Sequence, residues 1–172
     1  MAEFPTNRIA AARNPWRLRM PALAGLILFC CPASAQDAQW RQLTLAERQF
    51  YTAGKYQQAM QTVQEALRIA GLTYGPESRQ VATSLNDLAM ALEGLDRRAE
   101  AEPLYRRALA INEKTLGSQS PEVATGMNNL GVLYLDLGRL PEAKDLLVRA
   151  LAIREKALGP NDPATEIGRA HV

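Results

Sequence analysis

Histidine occurs once in this chain of 172 residues, at His171, and cysteine twice, side by side at Cys30 and Cys31. Everything between those points lacks the two residue types that supply most zinc ligands and most bases or nucleophiles for covalent catalysis. No disulfide can form there, so whatever folds must be held by packing alone. Long apolar runs are missing too. The longest, Pro21 to Cys31, has about eleven residues, too few to cross a bilayer as a helix. A glycine-rich phosphate loop is also absent: Gly54-Lys55 is followed by Tyr56 and has no upstream glycine. Carboxylates such as Glu100 and Glu102 stand at helix-surface spacing among arginines, with nothing to mark a buried general acid. The chain therefore reads as a non-enzyme without metal or cofactor.

The N-terminus reads as an export leader, residues 1–35. Arg8, Arg13, Arg17 and Arg19 precede the apolar run, and Ala33-Ser34-Ala35 offers a small-x-small cleavage site with Gln36 as the new terminus. An uncleaved anchor is the alternative reading. Met20 is an alternative start, one that would leave the leader without charge. Lipid attachment at Cys30 is disfavoured by bulky Phe29, where a small residue is needed. Cleavage removes both cysteines and, with four arginines against Glu3, takes the net charge from +2 to about −1. Arg97-Arg98 and Arg106-Arg107 are then solvated helix faces, and no nucleic-acid partner or stable membrane insertion is expected. The mature protein is expected to be periplasmic or secreted, in a bacterium.

What the chain does have is a period. Residues 81–122 slide onto residues 123–164 without a gap, with about 20 of about 42 positions identical. Upstream, Ala59, Ala66, Leu67 and Gly75 fall in register with Ala101, Ala108, Leu109 and Gly117, so a third and weaker copy covers about 39–80. Each copy reads as two antiparallel helices. Val123, Met127, Leu130, Gly131, Tyr134 and Leu137 recur at helical spacing, as do Ala143, Leu146, Leu147, Ala150 and Leu151. Ser120-Pro121-Glu122 supplies a capping hydroxyl, a first-turn proline and a carboxylate on the helix dipole; Asp162-Pro163 repeats the device, and Ser78 caps the equivalent helix upstream. Gly75, Gly117 and Gly159 stand where a left-handed residue can close a helix. Gly54, Asp96 and Gly138 occupy the turn inside each unit.

The runs AEAEPLYRRALAINEKTLG (99–117) and VATGMNNLGVLYLDLGRLPEAKDLLVRALAIREKALG (123–159) resemble the tetratricopeptide repeat, in the longer-period form typical of kinesin light chains and many bacterial proteins. The family's small-residue signature falls on Ala89, Ala101 and Ala108, then on Gly131, Ala143 and Ala150. The resemblance covers about 40–166 and implies an all-α, right-handed superhelical solenoid of antiparallel helix pairs, about three repeats long. The first copy departs from the pattern, with Ala46 and Glu47 where leucine and a small residue are expected; a polar N-terminal capping unit is one explanation, a shifted helix register another.

The resemblance also implies a concave groove, lined by the first helix of each pair, that takes a protein or extended peptide. On those helices it points to Thr83, Asn86, Met90 and Glu93, and to Thr125, Asn128, Val132 and Leu135, with Arg48 and Tyr51 extending the groove. Asn86 and Asn128 are the central pair, because a carboxamide donates and accepts at once and can hold a peptide backbone whatever its side chains. The lysine-rich set with which chaperone-tail-binding members hold a terminal carboxylate is missing.

The last residues break the pattern. Glu166 to Val172 matches the translation of a common sequencing adapter, so residues 167–172 read as an artefact tail, with a genuine frayed terminus as the alternative. The domain then spans 36–166. If the natural gene continues, the repeats are the regulatory N-terminal part of a larger enzyme, for example one with a caspase-like protease domain, as the alternative to a free-standing scaffold. Cut at this point, the array is expected to leave Leu146, Leu147, Leu151 and Ile153 short of cover and to self-associate through that end.

Overall fold

Seven helices follow one another in a computed structural model that describes residues 32–159 and 161–170. They are α1 (Pro32–Thr52), α2 (Tyr56–Tyr74), α3 (Arg79–Gly94), α4 (Arg98–Leu116), α5 (Pro121–Asp136), α6 (Leu140–Leu158) and α7 (Pro163–Ala170). Each packs chiefly on its neighbours in the chain, which is the contact pattern of a solenoid. Three helix pairs, α1/α2, α3/α4 and α5/α6, make a right-handed superhelical array, and α7 opens a fourth position. No helix among the described residues is long and apolar enough to cross a membrane. Most of the expected leader, and His171, lie outside the described residues.

The local signals act as the sequence predicts. Ser78 Oγ accepts from the Val81 amide at 3.3 Å, and Ser120 Oγ accepts from the Val123 amide at 3.2 Å, each satisfying a donor that the first helical turn leaves unpaired. The closing glycines differ from expectation in one respect. Gly75, Gly117 and Gly159 have φ of +88°, +83° and +92°, but their ψ values of 163°, 152° and 166° place them in the extended positive-φ region rather than the left-handed helical one. Only glycine enters that region without strain, so it sends the chain straight out of the second helix towards the next cap.

The core runs unbroken through the pairs. Alanines at 59, 101 and 143 are fully buried at the bottoms of α2, α4 and α6, beside Leu88, Leu92, Tyr105, Leu130, Leu133 and Leu147. At the closest approach of the paired helices, size is shared out differently in each unit. A Cβ built on Gly131 would meet Leu147 Cγ at 2.8 Å, so only glycine fits opposite that leucine. One unit upstream the equivalent positions hold Ala89 and Tyr105, and one further Glu47 and Val63. The first unit thus pairs the largest of the three first-helix residues with the smallest of the three second-helix ones, and α1 keeps its register.

At the two ends the chain is tied down. Cleavage after Ala35 would trim α1 yet keep Gln36, whose Oε1 accepts from Thr73 Oγ1 at 3.0 Å, and Asp37, which accepts from the Tyr74 hydroxyl. At the other end α7 lies along α6: a Cβ built on Gly168 would lie 3.5 Å from Leu151, and Arg169 pairs with Glu155 at 2.7 Å. The expectation of an uncovered end is corrected on two residues. Leu147 and Ile153 are buried, while Leu146 and Leu151 are half-buried. Leu147 and Ile153 are covered by α5, Leu147 against Gly131 and Ile153 in the cluster of Val123, Ala124 and Met127, while α7 lies over Leu151 and Arg154.

Candidate functional site

The first helices of the pairs share one face, and a cavity of about 410 Å³ opens where α1, α3 and α5 meet. Its lining is Glu47, Arg48, Tyr51 and Thr52 from α1, Asn86, Asp87 and Met90 from α3, and Thr125 and Asn129 from α5. Five of the ten side chains picked from the sequence are gathered there: Arg48, Tyr51, Asn86, Met90 and Thr125. Thr83 instead bonds back to the Arg79 carbonyl at 3.1 Å. Glu93 is half-buried and accepts from the Tyr105 hydroxyl on α4. Val132 packs against the core cluster, and Leu135 is exposed beyond the cavity.

Asn128 is a correction. It is only 7% exposed, and its Oδ1 takes the Arg154 guanidinium at 3.4 Å, between α5 and α6. The carboxamide that meets Asn86 is Asn129, whose Nδ2 donates to Asn86 Oδ1 at 2.9 Å. The reason is stagger. Positions 42 apart are equivalent, but α3 and α5 sit one residue out of step, so their bonded side chains are 43 apart, as they are again in the Arg79–Glu122 pair at 2.7 Å. Sequence periodicity finds equivalent residues; it does not find contacting ones.

The asparagine bridge leaves groups to spare. Asn86 Nδ2 makes two contacts at 3.5 Å, one to Asp87 Oδ1 at the limit of a hydrogen bond and one to the weak acceptor Met90 Sδ, so its N–H groups are weakly held. Among the described residues nothing donates to Asn129 Oδ1. A donor and an acceptor therefore line the cavity side by side, the complement of one peptide unit.

Beside them the wall is acidic. Glu47 is 3% exposed, yet no donor among the described residues bonds its carboxyl. Burial, reinforced by the nearby Asp87 charge and only partly offset by Arg48, pushes its pKa up to about 7. Burial also raises Asp87, against the Asn86 bond and Arg48. Burial raises Glu93 despite the Tyr105 hydroxyl, and raises Tyr51, with Tyr56, Glu93 and Glu47 adding to it. Glu47, Thr52, Asp87 and Asn129 are the lining residues that sequence reasoning missed. The irregular glutamate at 47 was the visible signal. Among the described residues no cluster of three or more potential ligands could hold a metal.

The sequence profile of the tetratricopeptide repeat matches residues 49–114, 88–156 and 122–167. Among solved structures, the chain is similar to BtubC (BKLC) from P. vanneervenii, at 32% identity over 79% of this chain and 54% of that one, with a TM-score of 0.71. It is also similar to a putative kinesin light chain with nearly identical TPR-like repeats from P. anserina, at 26% identity over 80% of this chain and 63% of that one, TM-score 0.68. The TPR domain of Arabidopsis FLU shares the fold at 16% identity over 70% of this chain and 98% of that domain, TM-score 0.63. This chain spans only about half of the BtubC chain. No curated protein matches. The class is an all-α repeat solenoid with a lined concave face. The chain belongs to the tetratricopeptide-repeat family, whose fold generally mediates protein–protein interaction.

Proposed function

We propose that this chain is an exported, non-catalytic binding module that holds an extended polypeptide segment across the concave face formed by α1, α3 and α5. The observation that carries this reading is the Asn86–Asn129 bridge, which lines the 410 Å³ cavity with one weakly held donor and one open acceptor. A strand laid along the groove would exchange both bonds with a single residue's main chain, independent of its side chain. Panning a displayed library of random dodecapeptides against the full chain should enrich binders. Asn86→Ala combined with Asn129→Ala should weaken them by about 10- to 100-fold, on the order of 1–3 kcal/mol, with an unchanged melting curve. No enrichment, or equal binding by the double variant, would remove the groove reading.

Export rests on the four arginines ahead of the apolar run and on the small residues at 33–35. It is supported by the contacts of Gln36 and Asp37 with α2, which a cut after Ala35 leaves in place. Expressed in a bacterium, the protein should be recovered from the periplasm with Gln36 as its first residue. Recovery from the cytoplasm with an intact leader would contradict export.

A further inference from the structure

We propose that the wall of this groove formed by Glu47 and Asp87 is a pocket for one basic side chain, lysine or arginine, of the bound extended segment. The inference rests on the groove reading above and adds a charge preference to it.

Packing does not account for the acid at position 47. The equivalent positions in the next two units hold Ala89 and Gly131, both buried where paired helices approach closely. Burying a carboxyl with no hydrogen-bond donor is costly, and a methyl group would fill such a site without that cost. Glu47 lines the cavity and is 3% exposed. Across from it, on α3, stands a second acid, half-buried Asp87, whose one hydrogen bond among the described residues is the 3.5 Å contact from Asn86. The next unit has the neutral Asn129 at the position equivalent to Asp87, so the acid pair belongs to this junction alone among the described units.

The rest of the lining suits a long cationic side chain. Tyr51 and Met90 share the lining with the acids and supply an aromatic ring and a thioether, apolar surface against which an aliphatic stem packs. Thr125 and the Asn86–Asn129 pair lie alongside to hold the main chain. The one cation of the lining is Arg48, on α1 next to Glu47; it is exposed, and no ion pair joins it to either acid. It competes with an incoming cation rather than neutralising the pocket. Two carboxylates without a third ligand fall short of a metal site, which leaves an organic cation as the complement.

Five pools of ten-residue peptides test this, each randomised except for a central Lys, Arg, Gln, Met or Glu. Capture by the full chain is measured by fluorescence anisotropy at pH 8. The Lys and Arg pools should bind about tenfold more tightly than the Gln and Met pools, and the Glu pool weakest. Glu47→Gln should bring the Lys pool down to the Gln pool, Asp87→Asn should do so in part, and Arg48→Gln should widen the preference. Equal binding of the Lys, Gln and Met pools, or a Lys preference that survives both acid substitutions in folded variants, overturns the pocket while leaving the groove intact. Pools that bind no better than they bind the Asn86→Ala, Asn129→Ala double variant overturn the groove reading and the pocket with it.

Discussion

Replacing Glu47 with glutamine should stabilise the fold at pH 8 by on the order of 1–3 kcal/mol and change little at pH 4.5. The sign follows from protonation. The folded-state pKa lies at about 7, above the ordinary 4.5, so the native state holds a proton that the unfolded chain has already released. Stability from this group is full below about 4.5 and falls as pH rises through about 7. Asp87 shifts in the same direction, also through burial, and steepens the fall. The charges that bear on Glu47 are Asp87 on α3, which adds to the shift, and Arg48 on α1, which opposes it; Tyr51 on α1 feels the Glu47 charge in turn. Glutamine keeps the shape and cannot ionise, so the variant's stability should fall less steeply than the native one over this range, keeping only the part that Asp87 and Glu93 contribute. Thermal melts followed by circular dichroism from pH 4.5 to 8 make the comparison. Parallel profiles for the two proteins would show that water already reaches the carboxylate.

The largest loss should come from Tyr105→Ala, about 3–5 kcal/mol. Tyr105 is the largest fully buried side chain, 1% exposed, at the centre of the cluster that runs from Ala59 on α2 to Leu147 on α6. Its hydroxyl donates to Glu93, and its own ionisation is driven far above the ordinary tyrosine range by burial and by that carboxylate. In a linear array, stability is a sum of unit terms and junction terms, so a hole in the middle unit weakens both junctions at once. Melting should become broader, with the first and third pairs losing amide-exchange protection separately. Tyr105→Phe keeps the ring and should cost only about 1–3 kcal/mol, the hydrogen bond to Glu93. A loss below about 1 kcal/mol for Tyr105→Ala would mean that the units hold independently of this residue.

The features legible in the sequence are those decided within about four residues. Ser78 and Ser120 cap as their hydroxyls and position suggest, and Asp96 takes the positive φ of 61° that Gly54 and Gly138 take in the other units. What escaped was decided between helices. The one-residue stagger that puts Asn129 rather than Asn128 against Asn86 is a superhelical offset, invisible to any period count. The burial of Glu47 on α1 beside Asp87 of α3 is likewise set between helices, by residues 40 positions apart. The cover over Leu147 and Ile153 comes from α5, and that over Leu151 from Gly168 on α7, pairings between helices that no local signal specifies.

The unequal sharing of space at the pair contacts bears on how such a gene can change. Tandem copies as alike as residues 81–122 and 123–164 invite unequal crossing-over. An exchange at the boundary between units moves Ala89 with Tyr105, or Gly131 with Leu147, and each partner arrives with its match. An exchange inside a unit, in the turn between its helices, joins the first helix of one copy to the second helix of the other. A methyl group at the position of Gly131 would then stand at 2.8 Å from the leucine it faces. The recombinant that sets Ala89 against Leu147 therefore starts strained, and exchange by whole helix pairs avoids it.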